Sequence, residues 1–267
     1  MLAIGFLSIG ALQAGPARLV TLGGPATEIV YALGVGAQIV ATDSSSSFPE
    51  EAGKLPQVGY VSSISAEGVM SQRPDLVLAT SRVGPTSAVE QLRVAGVKVV
   101  VVPNPGDPES LRQSIEQLGQ ALDREREANR LWERIEGELA EARALVGGKP
   151  RVAFLMAGGG GALAAGDGTQ GGGVIGLAGG QNVFADLEGY KPVSQEALLA
   201  RKPEVILIGD HSGNVDIREA LGGLGMESLN MPGVTVRVIS VADYLAFGPR
   251  IGQAAGALAR ILRESRP

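Results

Sequence analysis

Two stretches of this chain repeat each other position by position. Ile64-Ser-Ala-Glu-Gly-Val-Met-Ser-Gln-Arg-Pro-Asp-Leu-Val-Leu78 matches Val193-Ser-Gln-Glu-Ala-Leu-Leu-Ala-Arg-Lys-Pro-Glu-Val-Ile-Leu207, with Ser65 falling on Ser194. Just upstream, Gly59-Tyr60 answers Gly189-Tyr190 with one residue of slippage, and Ala32 to Ala41 resembles Leu177 to Ala185. Three matches in the same order predict two related lobes built from the same supersecondary unit. Two lobes side by side leave a cleft, and such clefts are preferred places for a ligand.

From Arg18 onward, short β-branched runs alternate with helix-like segments, the pattern of βα units on a parallel sheet. The runs are Leu19 to Leu22, Ile39 to Ala41, Leu76 to Ala79, Val97 to Val102, Val152 to Met156, Val205 to Ile208 and Val234 to Ile239. Their near-continuous apolar character suits strands covered on both faces. Between the lobes, Pro108 to about Val146 places Leu111, Ile115, Leu118, Leu122, Leu131, Ile135 and Leu139 mostly three or four residues apart. That spacing predicts one long amphipathic helix, capped by Asp107 or Ser110 and ended by Gly147-Gly148. The expected fold is therefore α/β: two Rossmann-like βα lobes with parallel sheets, 17–107 and 148–267, joined by a single backbone helix over 108–147, with the ligand cleft between them.

Composition removes several classes of function. The 267 residues include no Cys and one His, so disulfides, thiolate nucleophiles, Cys-based metal sites and multi-imidazole zinc chemistry are excluded. A net charge of −5 and an aromatic share of 4% argue against a nucleic-acid partner, which favours a basic face and stacking platforms. The run Met1 to Ala14 has the length and apolar character of a signal-peptide core, although no basic residue precedes Arg18; residues 1–16 are read as the remnant of an export signal. No stretch reaches the ~18 apolar residues of a membrane span.

Motifs for catalysis are weak. Gly166-Asp-Gly-Thr-Gln-Gly171 matches GxGxxG, but the expected strand before it ends about ten residues earlier, whereas a dinucleotide turn follows its strand directly. There is neither a GxxxxGK[ST] nor a GxSxG segment, and the one histidine lacks a nucleophile partner. A nucleotide-using enzyme is the remote alternative; the expectation is a protein that binds and releases without turnover.

The segments Leu22-Gly-Gly-Pro-Ala-Thr-Glu-Ile-Val-Tyr-Ala-Leu-Gly34, Asp43-Ser44, Leu55-Pro-Gln-Val-Gly-Tyr60, Ile64 to Gly68, Ala165 to Thr169, Leu177 to Asn182, Glu188-Gly-Tyr-Lys-Pro-Val-Ser194 and Phe247-Gly-Pro-Arg250 span almost the whole chain after Arg18. Together they resemble the helical-backbone substrate-binding proteins of bacterial ABC importers, and within these the hemin-binding periplasmic proteins. Cobalamin and ferric-siderophore carriers of the same fold are the nearest alternative.

The resemblance implies a periplasmic, monomeric carrier that takes heme as cargo and hands it to a permease dimer driven by a separate ATPase. It implies that Tyr60 is the iron ligand; a hard phenolate suits ferric iron. The family often places an arginine two residues after this tyrosine, where this chain has Ser62, leaving Arg82 and Arg250 as candidate sources of positive charge and as propionate contacts. Tyr190, the repeat partner of Tyr60, is a candidate from the second lobe, Phe247 and Tyr244 are candidates for stacking on the porphyrin, and His211 is a second axial ligand candidate. Glu67 and Glu196 hold equivalent places two residues after Ser65 and Ser194; acids there favour a helix N-terminus, and the resemblance implies that they dock on the permease.

Overall fold

The computed structural model describes residues 18–158, 161–211, 216–226, 232–245 and 247–265. The expected export signal over 1–16 lies outside them. The first lobe runs β1 (Leu19–Leu22), α1 (Gly24–Ala32), β2 (Ile39–Thr42), α2 (Glu50–Gly53), β3 (Gly59–Tyr60), β4 (Ser63–Ile64), α3 (Ala66–Ser71), β5 (Leu76–Thr80), α4 (Thr86–Val94) and β6 (Lys98–Val102). Its main sheet has the order β2-β1-β5-β6 and is parallel throughout, with Leu19 opposite Leu76 and Leu76 opposite Lys98. β1 and β5 are buried along their whole length, which is why their sequences are apolar apart from the buried Thr21 and the closing Thr80.

The segment expected to form one helix forms two, α5 (Pro108–Ala121) and α6 (Glu125–Val146). Asp123 between them adopts φ 55, a left-handed conformation that Asp tolerates better than most residues and that no helix continues through. Gly119 makes the corner possible, because a Cβ there would lie 2.6 Å from that of Ala128. Periodicity hides this break: the apolar positions keep helical spacing on either side of it, and no Pro marks it. α5 packs on α1 and β6 and so belongs with the first lobe, while α6 lies along the final helix of the chain.

The second lobe runs β7 (Arg151–Gly158), β8 (Gly161–Ala165), α7 (Gln170–Leu177), β9 (Gln181–Asn182), β10 (Tyr190–Pro192), α8 (Gln195–Ala200), β11 (Val205–Asp210), α9 (Ile217–Gly223), β12 (Thr235–Ser240), α10 (Val241–Tyr244) and α11 (Ile251–Glu264). Its sheet corrects the expectation of a second parallel copy. β7, β11 and β12 are parallel, but β8 and β10 add on antiparallel in the order β10-β8-β7-β11-β12. β8 also places a strand end immediately before Gly166, contrary to the spacing expected above. The loop is nevertheless no dinucleotide turn: Gly166 N–H donates to Gly189 O and Asp167 N–H to Leu187 O, so the backbone of 187–189 covers it.

The repeat is physical as well as textual. Ser65 Oγ accepts from Gly68 N–H at the start of α3, and Ser194 Oγ from Ala197 N–H at the start of α8, both at 3.2 Å. Arg18 Nε donates to the carbonyls of Gln72 and Arg73 at the end of α3, while Arg151 donates to those of Arg201 and Lys202 at the end of α8. α6 and α11 then join the lobes. Leu131, Ile135 and Leu139 face Ile251, Leu258 and Leu262 in one core that includes strands of both sheets. Each such side chain contributes about 1.5–3 kcal/mol by leaving water. Gly252 permits the approach, since a Cβ there would lie 2.5 Å from Glu138 Cβ.

Candidate functional site

In α/β lobes the loops beyond the C-terminal ends of parallel strands are where side chains converge. Here the loops after β1, β2, β5 and β6 of the first lobe face Ala242, Asp243, Phe247 and Arg250 of the second across a cavity of about 370 Å³. Gly23, Ser47, Thr80 and Asn104 border it from one side, Gln170 and Asp243 from the other.

The first-lobe wall is built around a buried carboxylate. Asp43, 0% exposed, accepts from Gly23 N–H at 2.7 Å and Ser46 Oγ at 2.7 Å on Oδ1, and from Ser45 N–H and Ser45 Oγ on Oδ2. Ser46 is in turn joined to Thr27 Oγ1, which donates to Thr21. This ties the loop after β2 to the start of α1, so the backbone of 44–48 is held by a charge-assisted network. Thr80, 1% exposed, also borders the cavity, and its hydroxyl has no hydrogen-bond partner among the described residues.

At the floor the lobes are bridged. Arg250 Nε donates to Glu28 Oε2 at 3.0 Å and Nη2 to Glu28 Oε1 at 3.1 Å, a two-pronged pair between α1 and the start of α11, 222 residues apart in sequence. Nη1 reaches Asp243 Oδ1 at 3.5 Å, and the guanidinium carbon lies 3.9 Å from the centre of the Phe48 ring. Burial works against the Arg250 cation, but the hydrogen bonds and charge of Glu28 prevail and hold its pKa above the ordinary arginine value. Glu28 itself is only 7% exposed. Gly248 leaves it room, since a Cβ at 248 would meet the Glu28 carboxylate at 3.2 Å.

Four of the expected site residues come together here. Tyr60, Arg82, Phe247 and Arg250 all border the cavity. Tyr60 stands on the short hairpin β3–β4 and is 46% exposed. Arg82 is exposed and has no hydrogen-bond or ion-pair partner among the described residues. Their loops are stitched together, with Gly84 N–H donating to Val61 O and Ile64 N–H to Gly84 O.

Other expectations need correction. Arg250 has its planar fork occupied by Glu28, so it does not present a free guanidinium to a ligand carboxylate. Phe247 is 1% exposed and serves mainly as core under the floor. Tyr244 packs against that core and is not among the cavity's lining. Tyr190 lies outside the cavity: β10 pairs it with Ala165, and its phenol reaches the start of α7, where burial raises its pKa against hydrogen bonds from Gly171 and Thr169. His211 is exposed just beyond β11 and does not border the cavity either. Glu67 and Glu196, expected at a docking surface rather than in the cleft, sit exposed in the first turns of α3 and α8. The Ser194 hydroxyl and a backbone N–H lower the pKa of Glu196.

Glu28, Phe48 and the bonding role of Asp43 escape a reading of residue patterns. Glu28 did leave a signal, a single acid among the apolar residues of Gly24 to Ala32, on the face that packs inward. Among the described residues no cluster of three or more His, Cys, Asp or Glu is arranged to hold a metal ion, and no helix is long and apolar enough to cross a membrane.

The sequence model for the periplasmic binding protein family matches residues 19–222. The periplasmic heme-binding protein RhuT from Roseiflexus sp. RS-1, in apo form, superposes with a TM-score of 0.80 at 33% identity over 94% of this chain and 99% of its own. A periplasmic heme-binding protein from Pseudomonas aeruginosa superposes with a TM-score of 0.82 at 31% identity, over 94% of each chain. A vitamin B12-binding protein from Pectobacterium atrosepticum is 31% identical over 97% of this chain and 93% of its own length.

Proposed function

Because the chain belongs to the periplasmic binding protein family, we propose that it captures heme in the interlobe cleft and delivers it to the permease of an ABC importer. Members of this family carry substrates and do not transform them, and heme-binding and vitamin B12-binding proteins are among those to which this chain is similar.

The observation behind the heme reading is Tyr60, an exposed phenol on the wall of the same cavity that Arg82 borders, Arg82 having no partner among the described residues. A phenolate is a hard anionic oxygen and an established ligand type for ferric heme. Its unperturbed pKa of about 10 requires the anion to be favoured by the iron and by nearby positive charge. Ser62 supplies none, but Arg82 arrives from the neighbouring loop and takes the part of the missing arginine. Arg82 is also the guanidinium open to a heme propionate, because Arg250 is committed to Glu28. Glu67 and Glu196, one on each lobe, present acids at equivalent places to a permease dimer.

Titration with ferric hemin tests this. The expected result is a saturable Soret shift with the charge-transfer bands of a tyrosinate-bound ferric heme, lost in Tyr60→Phe. Unchanged spectra and affinity in that variant would remove Tyr60 from the site. The cobalamin reading has its own support in the curated vitamin B12-binding relatives, so cyanocobalamin is titrated in parallel; saturable binding of it, with none of hemin, would reassign the ligand and leave Tyr60 as cleft lining.

A further inference from the structure

We infer that Phe48 is a stacking shelf for the face of a flat conjugated macrocycle, and that Glu28 positions this shelf from beneath by locking Arg250 across the lobes. The inference rests on the heme reading of the cleft and extends it to what selects a planar ligand.

Phe48 borders the cavity and is 43% exposed, which is unusual for a large aromatic on a wall held by a buried hydrogen-bond network. One face of its ring is covered by the Arg250 guanidinium at 3.9 Å. A cation over one face of an aromatic ring fixes the ring's orientation through its quadrupole. Arg250 is not free to turn away, since Nε and Nη2 are both bonded to Glu28 and Nη1 approaches Asp243. The charge of the pair is internally balanced, so the layer under the shelf presents a rigid ring rather than a naked cation. What remains uncovered is apolar aromatic surface at the edge of the cleft, a complement to a planar π-system. A corrin is puckered and not conjugated around its whole ring, and it meets such a shelf less completely. Glu28 and Arg250 touch no ligand in this arrangement; they act through Phe48.

The test uses metal-free protoporphyrin IX, which has the flat ring and no iron, so that stacking is read apart from ligation. Wild-type protein, Phe48→Leu, Phe48→Trp and Glu28→Gln are titrated by porphyrin absorbance and fluorescence, and hemin and cyanocobalamin are titrated into the wild type. Phe48→Leu is expected to weaken protoporphyrin about five- to tenfold, and Phe48→Trp to retain it. Glu28→Gln is expected to weaken it in the wild-type background and to have no added effect in Phe48→Leu, a coupling that a merely structural role would not produce.

Equal protoporphyrin affinity in wild type and Phe48→Leu would overturn the shelf while leaving a hemin-binding cleft intact. Additive losses in the double variant would overturn the positioning role of Glu28. A Phe48-dependent protoporphyrin site with no tyrosinate bands for hemin would sustain the shelf and sink the iron ligation. Binding of neither hemin nor protoporphyrin would reject the heme reading and the shelf together.

Discussion

Replacing Asp43 by Asn is nearly isosteric and strikes the network that holds the first-lobe wall. The carboxylate accepts four hydrogen bonds, two on each oxygen. In the best orientation the amide oxygen keeps Gly23 N–H and Ser46 Oγ. The amide nitrogen then faces Ser45 N–H, donor against donor, while the Ser45 hydroxyl can turn to accept. The half-buried Ser45 N–H is left without a protein partner, at a cost of about 1–2 kcal/mol, and the surviving bonds lose their charge assistance, worth about 1 kcal/mol each. Against this, the variant no longer buries a charge in a position with no solvent exposure, which returns about half of that loss. The net expectation is a destabilisation of about 2 kcal/mol. In thermal unfolding that corresponds to a fall of about 4–8 °C in Tm. Because Ser45, Ser47 and Phe48 border the cavity from the same loop, hemin affinity should fall with stability. A Tm within 1 °C of wild type (about 0.3 kcal/mol), with unchanged ligand affinity, would refute the claim that Asp43 organises this wall.

Arg82→Ala should weaken hemin severalfold, with the loss shrinking as salt is added, yet leave the urea midpoint unchanged because Arg82 is exposed and has no partner among the described residues; a stability loss above about 1 kcal/mol would contradict that placement. Glu67→Ala combined with Glu196→Ala should impair uptake through a reconstituted importer without altering hemin affinity, and normal uptake would reject the docking role. Tyr31, Tyr190 and Tyr244 all hold their phenol pKa above the ordinary value, each chiefly through burial, with Glu51 adding at Tyr31 and Asp243 at Tyr244. A raised phenol binds its proton more tightly in the folded state, so its stabilisation is complete below about pH 10 and is lost as pH climbs through the raised values. Urea midpoints should therefore hold to about pH 9.5 and decline beyond it, and a midpoint that rises there would show the sign to be wrong.

Much of the fold was legible because burial leaves a period in the sequence. Leu19 to Leu22, Leu76 to Thr80 and Val205 to Ile208 are short, nearly continuous apolar runs rich in β-branched residues, which suit strands of a sheet covered on both faces. The α5–α6 corner was not legible, since the charged run Asp123 to Glu127 between the two apolar stripes reads as well as a solvent-facing turn of one helix, and Gly119 reveals its use only when Ala128 comes against it. The antiparallel β8 and β10 were missed for a related reason: Gly161 to Ala165 and Tyr190 to Pro192 are short and rich in small or polar residues, with little apolar pattern to read.

Within the cleft the same division holds. Tyr60 could be singled out from the Val-Gly-Tyr segment that carries the family resemblance, and Arg82 as a cation replacing the arginine missing at Ser62. The commitment of Arg250 could not, because a guanidinium is identified by its partner, and that partner, Glu28, lies 222 residues away on the other lobe. By itself the sequence determined two repeated βα lobes and the helix caps that repeat with them, since these depend on neighbours a few residues apart. The tertiary structure alone decided which charges meet across the cleft, which aromatic stands open beside them and which arginine stays free, since packing two lobes around α6 and α11 sets those distances and no local pattern encodes them.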